Sequence, residues 1–196
     1  MTTRRVAWRR SDEVLADEHC TLAVRDSGLS LIGTVLGSEG GVPVRDEYRV
    51  LADGAGVTTA VHVRDLRGFD QRVLTAERSA KGAWTVDGSP AKKLKGCSDI
   101  DLGCSPSTNT LPIRRLRLAV GASSTIQVAL VRFPELEVVK VAQTYSRLDE
   151  YTYRFSSGGF SAELTVDDDG LVAAYADWQR TGVAFGPEDS EALDSR

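Results

Sequence analysis

From residue 28 onward most of the chain is written in twos. In GLSLIGTVLG, Leu29, Leu31, Gly33 and Val35 fall on one face, and in VTTAVHVR, Val57, Thr59, Val61 and Val63 align against Thr58, His62 and Arg64. Tyr151, Tyr153 and Phe155 alternate with Thr152, Arg154 and Ser156, and Phe160, Ala162, Leu164 and Val166 with Ser161, Glu163 and Thr165. Successive side chains of a strand point to opposite faces, so this period describes half-buried strands and excludes amphipathic helices. The spans around Ser124–Phe133 and Leu136–Leu148 carry apolar residues on both faces, as strands covered on both sides do.

Turn chemistry punctuates the runs at SEGGVP, ADGAG, KGAW, VDGSP, FPE, SSGG and DDDG. Links this short, roughly 8–12 residues apart, join antiparallel neighbours. The fold class is therefore all-β with one helix. That helix is expected over 109–117, capped by Ser107, Thr108 or Asn109 and with Pro112 in its first turn. A second, shorter helical turn is conceivable over 12–18 after an Asp12 cap. At 196 residues, with no internal repeat and no linker, residues 1–185 are expected to form one domain. Residues 186–196, GPEDSEALDSR after Phe185, read as an acidic flexible tail.

Bulk properties remove several function classes. The net charge is −4 and the pI near 5.3, so a general attraction to nucleic acid or anionic membrane is not expected. No stretch approaches the roughly 18 apolar residues of a membrane span, so no stable membrane insertion is expected. No apolar run of signal-peptide length follows the N-terminus, and three cysteines is an odd count. Both point to a cytoplasmic protein with reduced thiols.

The polar chemistry concentrates in residues 96–116, GCSDIDLGCSPSTNTLPIRRL. Cys97 and Cys104 are too far apart for the tight pair of a structural zinc site, and His19-Cys20 lies distant in sequence; small buried cysteines are the better reading. DDDG at 167–170 has neither the length nor the acid spacing of a calcium loop and reads as a hairpin turn. Asp99 and Asp101 would share one face of a strand, about 6.5–7 Å apart, within the range for inverting glycosidases. Acids placed just before Arg114 and Arg115 more often form ion pairs or bind backbone amides. His62 lies on a polar strand face, His19 in an acidic turn, and there is no G-x-S-x-G, Walker or G-x-G-x-x-G pattern. No catalytic residue, metal site or cofactor is assigned.

The central stretch, with its glycine-cysteine, D-I-D-L, proline and T-N-T-L-P-I-R-R-L, resembles the signature of the glycolipid-binding family, formerly a domain of unknown function. The likeness extends through Trp8, Gly33 in GLSLIGTV, Tyr48 in EYRV, Trp84 in KGAWTVDG, Phe133-Pro134, Gln143-Thr144-Tyr145 and VDDDGLV. The resemblance implies a spiral β-roll, a many-stranded antiparallel sheet wrapped around a single short helix, assembled as a homodimer. It also implies a lipid or glycolipid ligand.

Three functions stay open on the sequence. The first is non-catalytic binding of an amphipathic ligand in or beside a β-roll cavity, through Asp99, Asp101, Asn109, Arg114, Arg115, Trp84 and Tyr145. The second is a small enzyme acting on a sugar or lipid-linked substrate through Asp99 and Asp101 with an arginine. The third is a structural or interaction module in which the same residues form a buried polar plug. A binder needs an apolar cavity of about 300–1,000 Å³. An enzyme needs an acid exposed in a cleft, and a module needs both acids buried and bonded.

Overall fold

The computed structural model describes residues 2–11 and 15–186. Its first half is a meander: β1 (Thr2–Ser11), β2 (Leu15–Arg25), β3 (Gly28–Glu39), β4 (Val42–Asp53), β5 (Thr58–Arg67), β6 (Asp70–Arg78), β7 (Trp84–Val86) and β8 (Ser89–Pro90). A short strand, β9 (Asp99–Leu102), then leads through a 3-10 turn at Ser107–Asn109 into the α-helix α1 (Thr110–Leu116). A second meander follows: β10 (Ser123–Arg132), β11 (Glu137–Arg147), β12 (Thr152–Ser157), β13 (Phe160–Val166), β14 (Val172–Tyr175) and β15 (Trp178–Phe185).

All fifteen strands belong to one sheet, in the order β8 through β1, then β15 down to β9. The two meanders are thus joined edge to edge where β1 pairs with β15. Every pair is antiparallel except β9 with β10, which run parallel. A parallel pair needs a crossover between its strands, and the 3-10 turn and α1 supply it. The far edge then folds back on the first half: Thr58 donates its amide to Ser98 O at 3.0 Å, and Ile100 donates to Thr58 Oγ1 at 3.1 Å. The result is a β-roll wound around one helix.

The seven-residue α1 is too short to stand alone in water. It holds because Thr110, Leu111, Pro112 and Ile113 are buried inside the roll. Leu111 packs in the core formed mainly by β1–β7, β9 and β10, whereas Ile113 packs with Tyr145, Tyr153, Phe155, Leu164, Val166 and Val172. The helix is the wedge between two apolar clusters.

Several expectations change. Residues 15–18 continue a strand rather than a helical turn, residues 12–14 lie outside those described, and His19 is exposed on β2 instead of in a turn. Thr58 is fully buried, because a bulge opposite Leu51/Ala52 turns it inward and lets it serve β9. None of the three candidate caps bonds the helix start through its side chain; the preceding 3-10 turn supplies the lead-in. β10 is covered on both faces at Val128 and Ala129, but β11 leaves Lys140 and Ala142 exposed. Gly186 still donates to Thr3 O, extending the β1–β15 pairing by one residue, and 187–196 lie outside the described residues. The DDDG turn is as expected: Asp167 Oδ1 accepts the amides of Asp169 and Leu171.

Candidate functional site

The residues around α1 form two polar networks, one toward each half of the sheet. Toward the second half, Asp101 accepts Thr108 Oγ1 at 2.9 Å and Gln143 Nε2 at 2.7 Å, one on each carboxylate oxygen. Desolvation raises its pKa above the ordinary range, while those two hydrogen bonds work against the rise. Asn109 donates to Pro106 O at 3.2 Å and accepts the Tyr145 hydroxyl at 2.8 Å. Tyr145 is buried edge-on against Phe155, with ring centroids 5.3 Å apart. Asp99, 1 % exposed in its side chain, receives Arg115 on both oxygens, at 2.5 and 3.1 Å, and Ser98 Oγ at 2.7 Å.

Toward the first half, Glu18 on β2 accepts the Tyr48 hydroxyl and, at 2.7 Å, Ser105 Oγ. Ser107 Oγ lies 2.7 Å from both the Tyr48 hydroxyl and Ser105 Oγ. Burial pushes the Glu18 carboxyl up to about 7, with the three hydroxyls acting in the opposite sense. Tyr48 reaches Glu18 by lying over Gly33, its cross-strand partner: a Cβ there would sit 2.3 Å from the ring. This network was missed in the sequence, although the period-two pattern places Glu18 on the same face as Cys20 and Leu22.

Sequence-predicted site residues thus divide. Asp99, Asp101, Asn109, Arg115 and Tyr145 come together around the helix. Arg114 points the other way and donates to Asp169 O in the β13–β14 turn. Trp84 stands apart on β7: its indole donates to Cys97 O at 3.0 Å, and its ring borders a groove of about 460 Å³ with Pro90 and Ala91.

Two further cavities open at the C-terminal end of α1. One, of about 550 Å³, has Val24, Leu29 and Leu111 beside Arg25, Arg114 and Arg117, with Asp26 and Asp53; the other, of about 360 Å³, has Ile113, Tyr153 and Val166 beside Arg114, Arg117 and Arg147, with Glu150 and Asp167–Asp169. Arg114 and Arg117 belong to both. Arg147 is held by the carbonyls of Leu118, Asp149 and Glu150. The side chains of Arg25 and Arg117 make no hydrogen bond or ion pair among the described residues.

The model of the family described as "Putative glycolipid-binding" matches residues 5–180. The chain belongs to that family. A solved structure of a DUF1089 family protein from Pseudomonas aeruginosa is similar at 30 % identity and a TM-score of 0.74, over 86 % of this chain and 92 % of that one. A β-barrel-like protein of DUF1849 from Brucella abortus shares the fold at a TM-score of 0.58 and 7 % identity, over 94 % of this chain and 98 % of that one. No curated protein matches the chain. For this member of the glycolipid-binding family, no helix among the described residues is long and apolar enough to cross a membrane.

Proposed function

We propose that the chain binds, without catalysis, an amphipathic ligand with an anionic head group, a lipid or glycolipid, at the C-terminal mouth of α1. The observation that carries this reading is that Arg114 and Arg117 are shared by two adjoining cavities, each with some apolar side chains in a mostly polar lining. Arg117 strengthens it. It sits at φ 45°, the left-handed position that a glycine takes at a helix end without cost, yet it is an exposed arginine whose side chain has no partner among the described residues. A charge the fold does not use is available to a ligand, and arginine suits phosphate or carboxylate groups.

Asp99 and Asp101 have both oxygens taken up by protein donors, which favours their role as the polar plug and weighs against the enzymatic reading. The family membership supports the ligand class. The same reading takes residues 1–185 as one domain acting as a cytoplasmic homodimer. The single sheet running through the β1–β15 pair supports the one domain and the three free thiols a reducing compartment, while the homodimer follows from the family resemblance.

The test is native mass spectrometry of the full chain after incubation with phosphatidylglycerol or phosphatidylcholine. A stoichiometric phosphatidylglycerol adduct that disappears in Arg114→Ala/Arg117→Ala is the expected result. Equal adducts with both lipids, or adducts indifferent to the two arginines, would refute the reading.

A further inference from the structure

The opposite end of the roll holds another cavity, of different chemistry. It lies beside Ala16, Gly37, Val44 and Asp46, whereas the arginine mouth lies beside Val24, Gly28 and Asp53. Along β4, Asp46 and Asp53 are seven residues apart, or about 23 Å at ~3.3 Å per residue. The cavity is about 150 Å³, the space of some five waters at about 30 Å³ each. That suits one small ring or polyol and excludes an acyl chain.

One register row of the sheet shapes it. Trp8, Glu18, Val35, Asp46, Asp65 and Arg72 stand opposite one another across β1 to β6. Asp46 and Asp65 are therefore direct cross-strand neighbours, 2 % and 0 % exposed. Asp65 accepts Arg67 Nε at 3.0 Å and lies 3.6 Å from Arg72. Asp46 has no such donor: its Oδ1 is buried without a hydrogen-bond partner among the described residues, and the carboxyl borders the cavity. Burial, the hydrogen bond with Asp65 and that carboxyl's charge push Asp46 up to about 8, so near neutral pH the facing pair holds a proton between its two carboxyls. Arg67, which also pairs with Glu39, and Arg10 border the same cavity.

With that proton directed at Asp65, the unpartnered Asp46 Oδ1 is left as an acceptor for a ligand hydroxyl. Trp178 and Phe133 supply the apolar wall. The Trp178 indole N–H has no partner among the described residues, whereas those of Trp8 and Trp84 each donate to a backbone carbonyl. We infer that this cavity is a subsite for a neutral polyhydroxylated ring, a monosaccharide or cyclitol, hydrogen-bonded by Asp46 and packed on Trp178. The inference does not depend on the arginine mouth, and either can fail alone.

The test is an NMR titration of the ¹⁵N-labelled full chain, following the three indole resonances. The probes are glucose, galactose, mannose and myo-inositol, with octyl glucoside below its critical micelle concentration as the lipid-like arm. The Trp178 resonance is expected to shift saturably while those of Trp8 and Trp84 stay in place. Asp46→Leu weakens the response at least tenfold, and Ala16→Leu, which fills the cavity and leaves Asp46 intact, abolishes it. A response to the free sugars assigns a soluble ligand; a response to octyl glucoside alone assigns the head group of a lipid-linked sugar. Either supports the subsite. No saturable Trp178 shift with any probe up to about 50 mM, a range that detects binding well weaker than 1 mM, overturns it. So does a shift that survives Ala16→Leu. The wild-type titration decides the matter where a variant misfolds.

Discussion

Arg115 on α1 grips Asp99 on β9 with two parallel hydrogen bonds, Nη2 to Oδ2 at 2.5 Å and Nε to Oδ1 at 3.1 Å. The two residues are sixteen apart in sequence and close the crossover between the parallel strands β9 and β10. Asp99 is 1 % exposed and Arg115 18 %, so the pair lies largely out of water. Removing one partner leaves the other charge buried.

Asp99→Leu and Arg115→Leu should each cost about 3–5 kcal/mol, the range for breaking a buried pair by one side. The double variant should cost clearly less than the sum. Urea unfolding of the three variants and wild type checks this, and strict additivity would show that the pair is not coupled.

Gly33→Ala should destabilise by roughly 1–3 kcal/mol through overpacking, because the new methyl group would sit 2.3 Å from the Tyr48 ring. Shrinking the ring should relieve it. In thermal melts, Gly33→Ala should lower Tm far more in wild type than in a Tyr48→Val background.

Glu18 and Asp46 make stability fall as pH rises. Burial raises Glu18 from 4.5 to about 7, and burial with the facing Asp65 raises Asp46 from 3.8 to about 8. Between the unfolded and folded values the native state binds more protons, so the slope of stability against pH is negative from about pH 4.5 to 8. The stabilisation is complete below the unfolded values and is lost as pH passes the folded ones, each unit of separation counting for about 1.4 kcal/mol. Chemical denaturation from pH 5 to 8.5 should show this decline, and Glu18→Gln should flatten it. A wild-type profile that rises through this range would contradict the assignment.

Arg117→Glu should leave stability within about 0.5 kcal/mol of wild type, as surface changes without a packing role do. It should nevertheless abolish binding to vesicles containing phosphatidylglycerol, and the wild-type interaction should weaken between low and physiological salt. Vesicle flotation together with a thermal melt separates the two effects. Loss of both binding and fold would assign Arg117 a structural role instead.

The alternation of residues 28–36, 57–64, 151–156 and 160–166, with Gly-, Asp- and Pro-rich turns between them, was enough to determine strands, hairpins and most of the buried apolar side chains, although Tyr151 and Phe160 at the strand ends are exposed. Alternation is a local property of each strand, and a one-residue slip would turn its whole apolar set to water. The single helix was legible from Pro112 and the small polar residues before it, since only that stretch breaks the period.

The sequence was silent where distant strands meet. It placed Asp99 and Asp101 near two arginines, but only the crossover decided that Arg115 takes Asp99, that Arg114 turns to Asp169, and that Asp101 is held by Thr108 and Gln143. Glu18, Asp46 and Asp65 were each visible on an inward face by period. That they line up in one row depended on the register of β2 through β5. Thr58 turned inward because one bulge reversed its parity. Period two tells each strand which face is inside. Register, bulges and the path of the crossover arise from packing the whole sheet around the helix, and they decide which polar groups come together there.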